Sequence, residues 1–119
     1  MHYQERIPMK TLDRMCQKAH ATAVDKGWWE ESRGIPECLA LIHSEVSEAL
    51  EAFRVGDKGT SIAYDGITKK PEGLAVEMAD ILIRVFDVCA AFNIPLADAL
   101  AVKMTYNKTR SKRHGGKIC

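Results

Sequence analysis

EGLAVEMADILIRVFDVCAAF, residues Glu72–Phe92, is the stretch on which the fold turns. At 100° per residue, Leu74, Met78, Ile81, Leu82, Val85, Phe86, Cys89 and their neighbours cover most of a helix's circumference. A helix apolar nearly all round is normally buried. Its one polar strip holds Glu77, Asp80, Arg84 and Asp87. Charges on a buried helix cost on the order of several kcal/mol each unless they are paired or bound to a metal. Asn93 and Pro95 stop the helix.

Three more helices are predicted around it, and no convincing strand. The first spans Thr11–Lys26, with Leu12, Met15, Cys16, Ala19 and Ala23 at helical spacing and Gly27 as its stop. The second spans Pro36–Arg54, with Pro36 in the first turn and Gly56 past the end. Gly56–Pro71 reads as a long loop or short hairpin. The fourth helix spans Leu96–Lys112, ended by Gly115-Gly116. Antiparallel neighbours joined by short turns give an all-α, four-helix bundle.

On the second helix Leu39, Ile42, Val46, Leu50 and Phe53 share an apolar stripe, and Ser44, Ser47, Glu51 and Arg54 an opposing polar arc. Glu45 and Glu48 fall on neither. They share a mostly apolar strip with Cys38, Leu41 and Ala52, which predicts a semi-buried position. Glu45/Glu48 and Glu77/Asp80 are both i,i+3 pairs. Facing each other on antiparallel helices, they would set four carboxylates around one point, with Arg54 and Arg84 the only basic groups on those helices to neutralise them. Hard divalent cations with oxygen ligands, Mg²⁺ or Mn²⁺, fit better. One such pair alone is commonly a solvated face; two on adjacent helices, off the solvent arcs, favour a metal site. A di-iron carboxylate bundle wants Glu-x-x-His pairs, and none of His2, His20, His43 and His114 has Glu three residues before it.

Leu96, Leu100, Lys103, Asn107 and Arg110 share one face of the fourth helix, joined by His114 if the helix persists. Lys, Asn and Arg on one stripe can neutralise and hydrogen-bond phosphate oxygens. A basic C-terminus that binds nothing specific is the competing reading. Trp28 and Trp29 follow Gly27, one expected to plug the core and the other to offer its ring to a nucleobase. His20 lies near the edge of the first helix's apolar face, where a structural histidine is the simpler reading.

The chain has 119 residues, one domain's worth, with 46% hydrophobic and 28% charged residues. No run of about 18 uncharged apolar residues exists, so no membrane span is expected. Met1–Lys10 lacks an apolar h-region, so no signal peptide is expected either. Cys16, Cys38, Cys89 and Cys119 are far apart without a CxxC pair, which speaks against zinc or a disulfide framework and for reduced thiols in a cytoplasmic protein. The net charge of +1 hides a division: residues 1–98 hold 11 basic and 16 acidic residues, and the tail from about 103 to 119 is basic. That tail holds one aromatic, Tyr106, and no recognised binding module, so nucleic acid is a weak candidate partner.

The motifs Ser44-Glu45-Val46-Ser47-Glu48, Glu77-Met78-Ala79-Asp80, and Lys103 through Asn107 with Arg110 resemble those of the all-α nucleoside-triphosphate pyrophosphohydrolases. This is the MazG-like group, which includes dCTP pyrophosphatases and dimeric dUTPases. Its ExxE followed by ExxD is intact; where many members carry a further Glu just before the first pair, this chain has Ser44. His20 and Trp29 look like the base-binding His and Trp of dCTP pyrophosphatases. The resemblance implies a single domain over residues 1–119, completed by oligomerisation to a homodimer or homotetramer. It implies a Mg²⁺-dependent hydrolase, with Mn²⁺ as a substitute, cleaving a (deoxy)nucleoside triphosphate to the monophosphate and pyrophosphate. Glu45, Glu48, Glu77 and Asp80 would hold metal and carry catalysis; Lys103, Asn107, Arg110, His20 and Trp29 would bind substrate, with pyrimidine deoxynucleotides expected. The rival readings are a non-enzymatic helical interaction protein and a basic-tail nucleic-acid binder.

Overall fold

The computed structural model describes residues 9–110, with side chains from residue 11. The chain is mainly helical: α1 (Met9–Asp25), α2 (Ile35–Arg54), β1 (Ala63–Tyr64), β2 (Pro71–Glu72), α3 (Leu74–Ala91) and α4 (Leu96–Thr109). Expectations that fall on residues 1–8, His2 among them, and on Lys112, His114, Gly115-Gly116 and Cys119 lie outside the described residues.

Three helix ends share one device. Gly27, at φ 87°, follows α1, and Trp28 N donates to Ala23 O at 3.0 Å while Gly27 N donates to Val24 O at 3.1 Å. Gly56, at φ 107°, does the same after α2, with Asp57 N donating to Ala52 O. Asn93, at φ 55°, does it after α3, with Ile94 N donating to Cys89 O. A left-handed residue just past the helix lets these two bonds satisfy carbonyls that the last turn leaves open. The consequence is positional: the first motif aims Trp28 and Trp29, and the second aims Asp57.

Asp57 then starts the next helix. Its Oδ1 accepts from Gly59 N at 2.8 Å and its Oδ2 from Leu74 N at 2.7 Å, so it caps α3 from 17 residues away. Both backbone donors, Gly59 foremost, hold its carboxyl below the ordinary range. The hairpin between them pairs Ala63 with Glu72 and Tyr64 with Pro71. Its turn is tied by Asp65 Oδ1, which accepts from Ile67 N and Thr68 N. Glu72 is therefore a strand residue, and α3 starts two residues later than the periodicity predicts. The helix expected to run to Lys112 stops at Thr109, because Arg110 takes an extended backbone (φ −78°, ψ 150°).

α3 is central, with α1 and α2 packed against it and α4 resting on α1. The chain turns through 119° between α3 and α4. Leu12, Cys16, Phe86, Cys89 and Ala97 form the core, with Ala19, Val85, Ala90, Leu96 and Leu100 against it. Cys16, Cys38 and Cys89 are free thiols, each pushed up in pKa chiefly by burial. No single helix among the described residues is long and apolar enough to cross a membrane; α3 and α4 pass such a test only as a bent pair, by length and composition.

The expectation that α3 is buried all round needs correction. Phe86, Val88 and Cys89 are buried, yet Met78 and Leu82 are each 54% exposed. On α2 the apolar stripe faces outward, with Leu39 and Leu50 half-exposed and Phe53 at 58%, while the strip carrying Cys38, Glu45 and Ala49 turns inward. Four helices supply too few neighbours to cover both sides of α2 and α3. The radius of gyration, 17.1 Å, agrees, since a compact chain of this length has about 13 Å.

Candidate functional site

α2 and α3 run antiparallel along their contact, which brings Glu45 to Arg84 and Glu48 to Glu77. One carboxylate oxygen from each of Glu45, Glu48 and Glu77 lies within 4.8 Å of the others. Glu45 is buried, Glu77 half-buried and Glu48 exposed, so the semi-buried position expected for both α2 acids holds at Glu45 and not at Glu48. Asp80 stands one helical turn from Glu77, outside that trio but near enough for its charge to act on Glu77 and for Glu45 to act on it.

The electrostatics are those of crowded acids. Burial, then the charges of Glu48, Asp80 and Glu45, push the Glu77 carboxyl above its ordinary value. Burial and Glu45 push Asp80 up, partly offset by Arg84 and Lys70. At Glu45 burial also works upward, but hydrogen bonding to Arg84 and Glu48, the Arg84 charge and Glu77 outweigh it and hold the group low. Glu77 Oε2 is buried and has no hydrogen-bond partner. An orphaned carboxylate oxygen beside two further carboxylates could accept a cation. An all-oxygen set of this kind fits Mg²⁺ or Mn²⁺ rather than a softer metal.

Beside this cluster a groove of about 600 Å³ runs between α1 and α2 with α3 as its floor. Glu45, Asp80 and Arg84 line it, as do Asp87, Trp28, Trp29 and Lys18. Asp80 and Asp87 are seven residues apart, so the groove extends roughly 10 Å along α3 from the acids to the indoles. That is the span and volume of a small-molecule site.

Asp87 is the residue that spacing alone does not single out. Its Oδ1 lies 2.7 Å from His20 Nδ1, and Trp29 Nε1 donates to Oδ1 at 3.0 Å and to Oδ2 at 3.1 Å. The Trp29 ring also meets His20 edge-on at 5.5 Å and Phe92 at 6.0 Å between centroids. His20 and Trp29 are thus brought together as a bonded trio with Asp87. Their N–H groups are committed to that carboxylate; His20 borders a shallower cavity with Val24 and Phe92 instead of the groove. The more open indole is Trp28, 46% exposed, with Arg33 Cζ 5.4 Å and Arg84 Cζ 5.2 Å from its ring centre. Two guanidinium groups at such distances lie within cation–π range. The sequence sign that points to Asp87 is its place on the polar strip of an otherwise apolar helix.

The stripe on α4 is arranged differently. Lys103 Nζ and Arg110 Cζ lie over the Tyr106 ring at 4.9 and 5.6 Å. With Arg110 past the helix end, Lys103 and Asn107 keep their common face and Arg110 leaves it. None of the three lines the groove, and α4 packs on α1, so one chain does not bring these cations to the acids. No family model, no curated protein and no solved structure matches this chain.

Proposed function

We propose that this protein is a Mg²⁺-dependent nucleoside-triphosphate pyrophosphohydrolase, releasing a nucleoside monophosphate and pyrophosphate, with pyrimidine deoxynucleotides as its expected substrates. The observation that carries the reading is the convergence of Glu45, Glu48 and Glu77 from two helices, within 4.8 Å, beside a groove that Glu45 lines and that also presents indole rings. The motif resemblance supports it.

Glu45, Glu48 and Glu77 would hold the metal, with Asp80 completing the set. Bound Mg²⁺ neutralises phosphate oxygens and lowers the pKa of water. The chain's own contribution is position and proton transfer. Asp80 lines the groove, where a carboxylate oxygen left free of the metal could take the proton of the attacking water. Water attacks the α-phosphorus, its proton passes to the carboxylate, the α–β bridging P–O bond breaks, and pyrophosphate leaves. Trp28 and Trp29 offer aromatic surface to the base at the other end of the groove. Lys103, Asn107 and Arg110 would reach the phosphates from a neighbouring subunit of a four-helix bundle completed by oligomerisation. The exposed faces of α2 and α3 are where such subunits would meet.

Those exposed faces also favour the rival, a non-enzymatic helical interaction protein. Pyrophosphate release from a panel of nucleoside triphosphates with Mg²⁺ separates the two. Turnover of at least one supports the hydrolase; no turnover and no Mg²⁺-dependent rise in melting temperature leaves the interaction protein.

A further inference from the structure

Arg84 occupies an unusual place in this layout. Its Nε donates to Glu45 Oε1 at 2.7 Å, inside the carboxylate trio, while its Cζ lies 5.2 Å from the Trp28 ring centre in the groove. The Glu45 side chain is 11% exposed and that of Arg84 25%. Among the described residues Arg84 is the cation paired with the cluster; Lys70 acts on Asp80 only through space. Four carboxylates therefore share one guanidinium.

Resting on the pyrophosphohydrolase reading, we infer that Arg84 is a displaceable counter-ion: it neutralises Glu45 in the metal-free protein, yields that carboxylate to a divalent cation, and then binds the phosphate chain. Metal and arginine would meet at the one carboxylate of Glu45. A metal ligated by Glu45, Glu48 and Glu77 would stand beside the guanidinium on the same carboxylate, and two cations so placed repel each other. Arg84 has somewhere to go, because its side chain already faces the groove and rests on Trp28. It also sits where a polyphosphate must pass. Asp80, Arg84 and Asp87 succeed one another along α3, so a ligand with phosphates at the acids and a ring at the indole crosses Arg84. A planar guanidinium suits phosphate oxygens there, with paired donors that an ammonium lacks. The exchange couples the two binding events: metal frees the arginine, and the arginine favours a polyanion only once metal is present.

The test compares wild type with Arg84→Gln and Arg84→Lys. Mn²⁺ affinity is measured by electron paramagnetic resonance, and affinity for the preformed Mg²⁺–pyrophosphate complex by calorimetry. Arg84→Gln is expected to bind Mn²⁺ at least as tightly as wild type, having no competing cation. It should bind Mg²⁺–pyrophosphate roughly tenfold more weakly, about the loss of one charge-assisted hydrogen bond. Arg84→Lys, which keeps the charge and guards against a misfolded Gln variant, should keep wild-type Mn²⁺ affinity and still lose pyrophosphate affinity. A variant that loses Mn²⁺ affinity while its Mg²⁺–pyrophosphate affinity is unchanged overturns the proposal and makes Arg84 a fixed brace. Failure of the wild type itself to bind Mn²⁺ would instead sink the metal-dependent hydrolase reading, and this inference with it.

Discussion

His20 on α1 and Asp87 on α3 are joined by a 2.7 Å hydrogen bond, and the same carboxylate receives the Trp29 indole N–H. One acid thus fastens α1, α3 and the turn between α1 and α2. Removing it leaves two half-buried donors without a partner. Asp87→Ala should cost about 1–3 kcal/mol. That corresponds to a melting temperature lower by roughly 4–15 °C. Asp87→Asn, which keeps one acceptor oxygen, should lose less. An Ala variant that melts with wild type would show the trio to be incidental.

Glu48→Gln should reduce kcat by roughly two orders of magnitude or more, because a metal ligand is lost while the shape is kept. Glu48 is exposed and its charge crowds Glu77, so circular dichroism should be unchanged and the metal-free melting temperature should not fall below that of wild type. The Mg²⁺-dependent rise in melting temperature should vanish. Retained activity removes Glu48 from the metal site.

The raised carboxyls fix the sign of a pH effect. A group that holds its proton more tightly when folded contributes stability fully present below its ordinary pKa and lost as pH rises through its folded value. Glu77 and Asp80 behave this way, from ordinary values of 4.5 and 3.8. Glu45, held low, acts oppositely and only below 4.5. The metal-free protein should therefore become more stable as pH falls from neutrality toward the ordinary carboxylate range. Glu77→Gln should flatten that slope. The stabilisation by Mg²⁺ should shrink over the same interval, since its ligands must be deprotonated. Thermal melts with and without Mg²⁺ check all three.

Trp28 and Trp29 should separate on substitution. Trp28→Ala, at the exposed indole, should raise KM with little change in melting temperature. Trp29→Ala should raise KM more than it lowers kcat and should also destabilise, because it strips a partner from Asp87 and packing from Phe92. An unchanged KM in Trp29→Ala assigns that ring to the core alone.

The outward stripe of α2 predicts self-association. Sedimentation at micromolar protein should give a dimer or tetramer, and Phe53→Glu or Leu50→Glu should shift it toward monomer. Both side chains are half-exposed or more in the single chain, so a charge there should not disturb its own fold. A wild type that sediments as a monomer would leave the stripe unexplained.

Much of this is legible in the sequence. Periodicity locates all four helices, and the two i,i+3 acid pairs include the residues that meet, because helical spacing is a local property. Periodicity cannot tell which flank of α2 turns inward. Leu39, Leu50 and Phe53 make the more apolar side, yet the strip with Glu45 is the one packed against α3. That choice depends on the partner helix and its charges, above all Arg84. Asp87 escapes for the same reason: its role lies in His20 and Trp29, residues 67 and 58 positions away. Glu72 reads as helical because a two-residue strand leaves no periodic signature.

The grip of Asp57 on both Gly59 and Leu74 means that the ends of the long connection are clamped together before the hairpin begins. The register of Glu48 against Glu77 is thus mechanically insulated from the ribbon beyond. Residues 65–69 form a handle outside that clamp, where a fluorophore or an affinity peptide could be spliced without moving the acids.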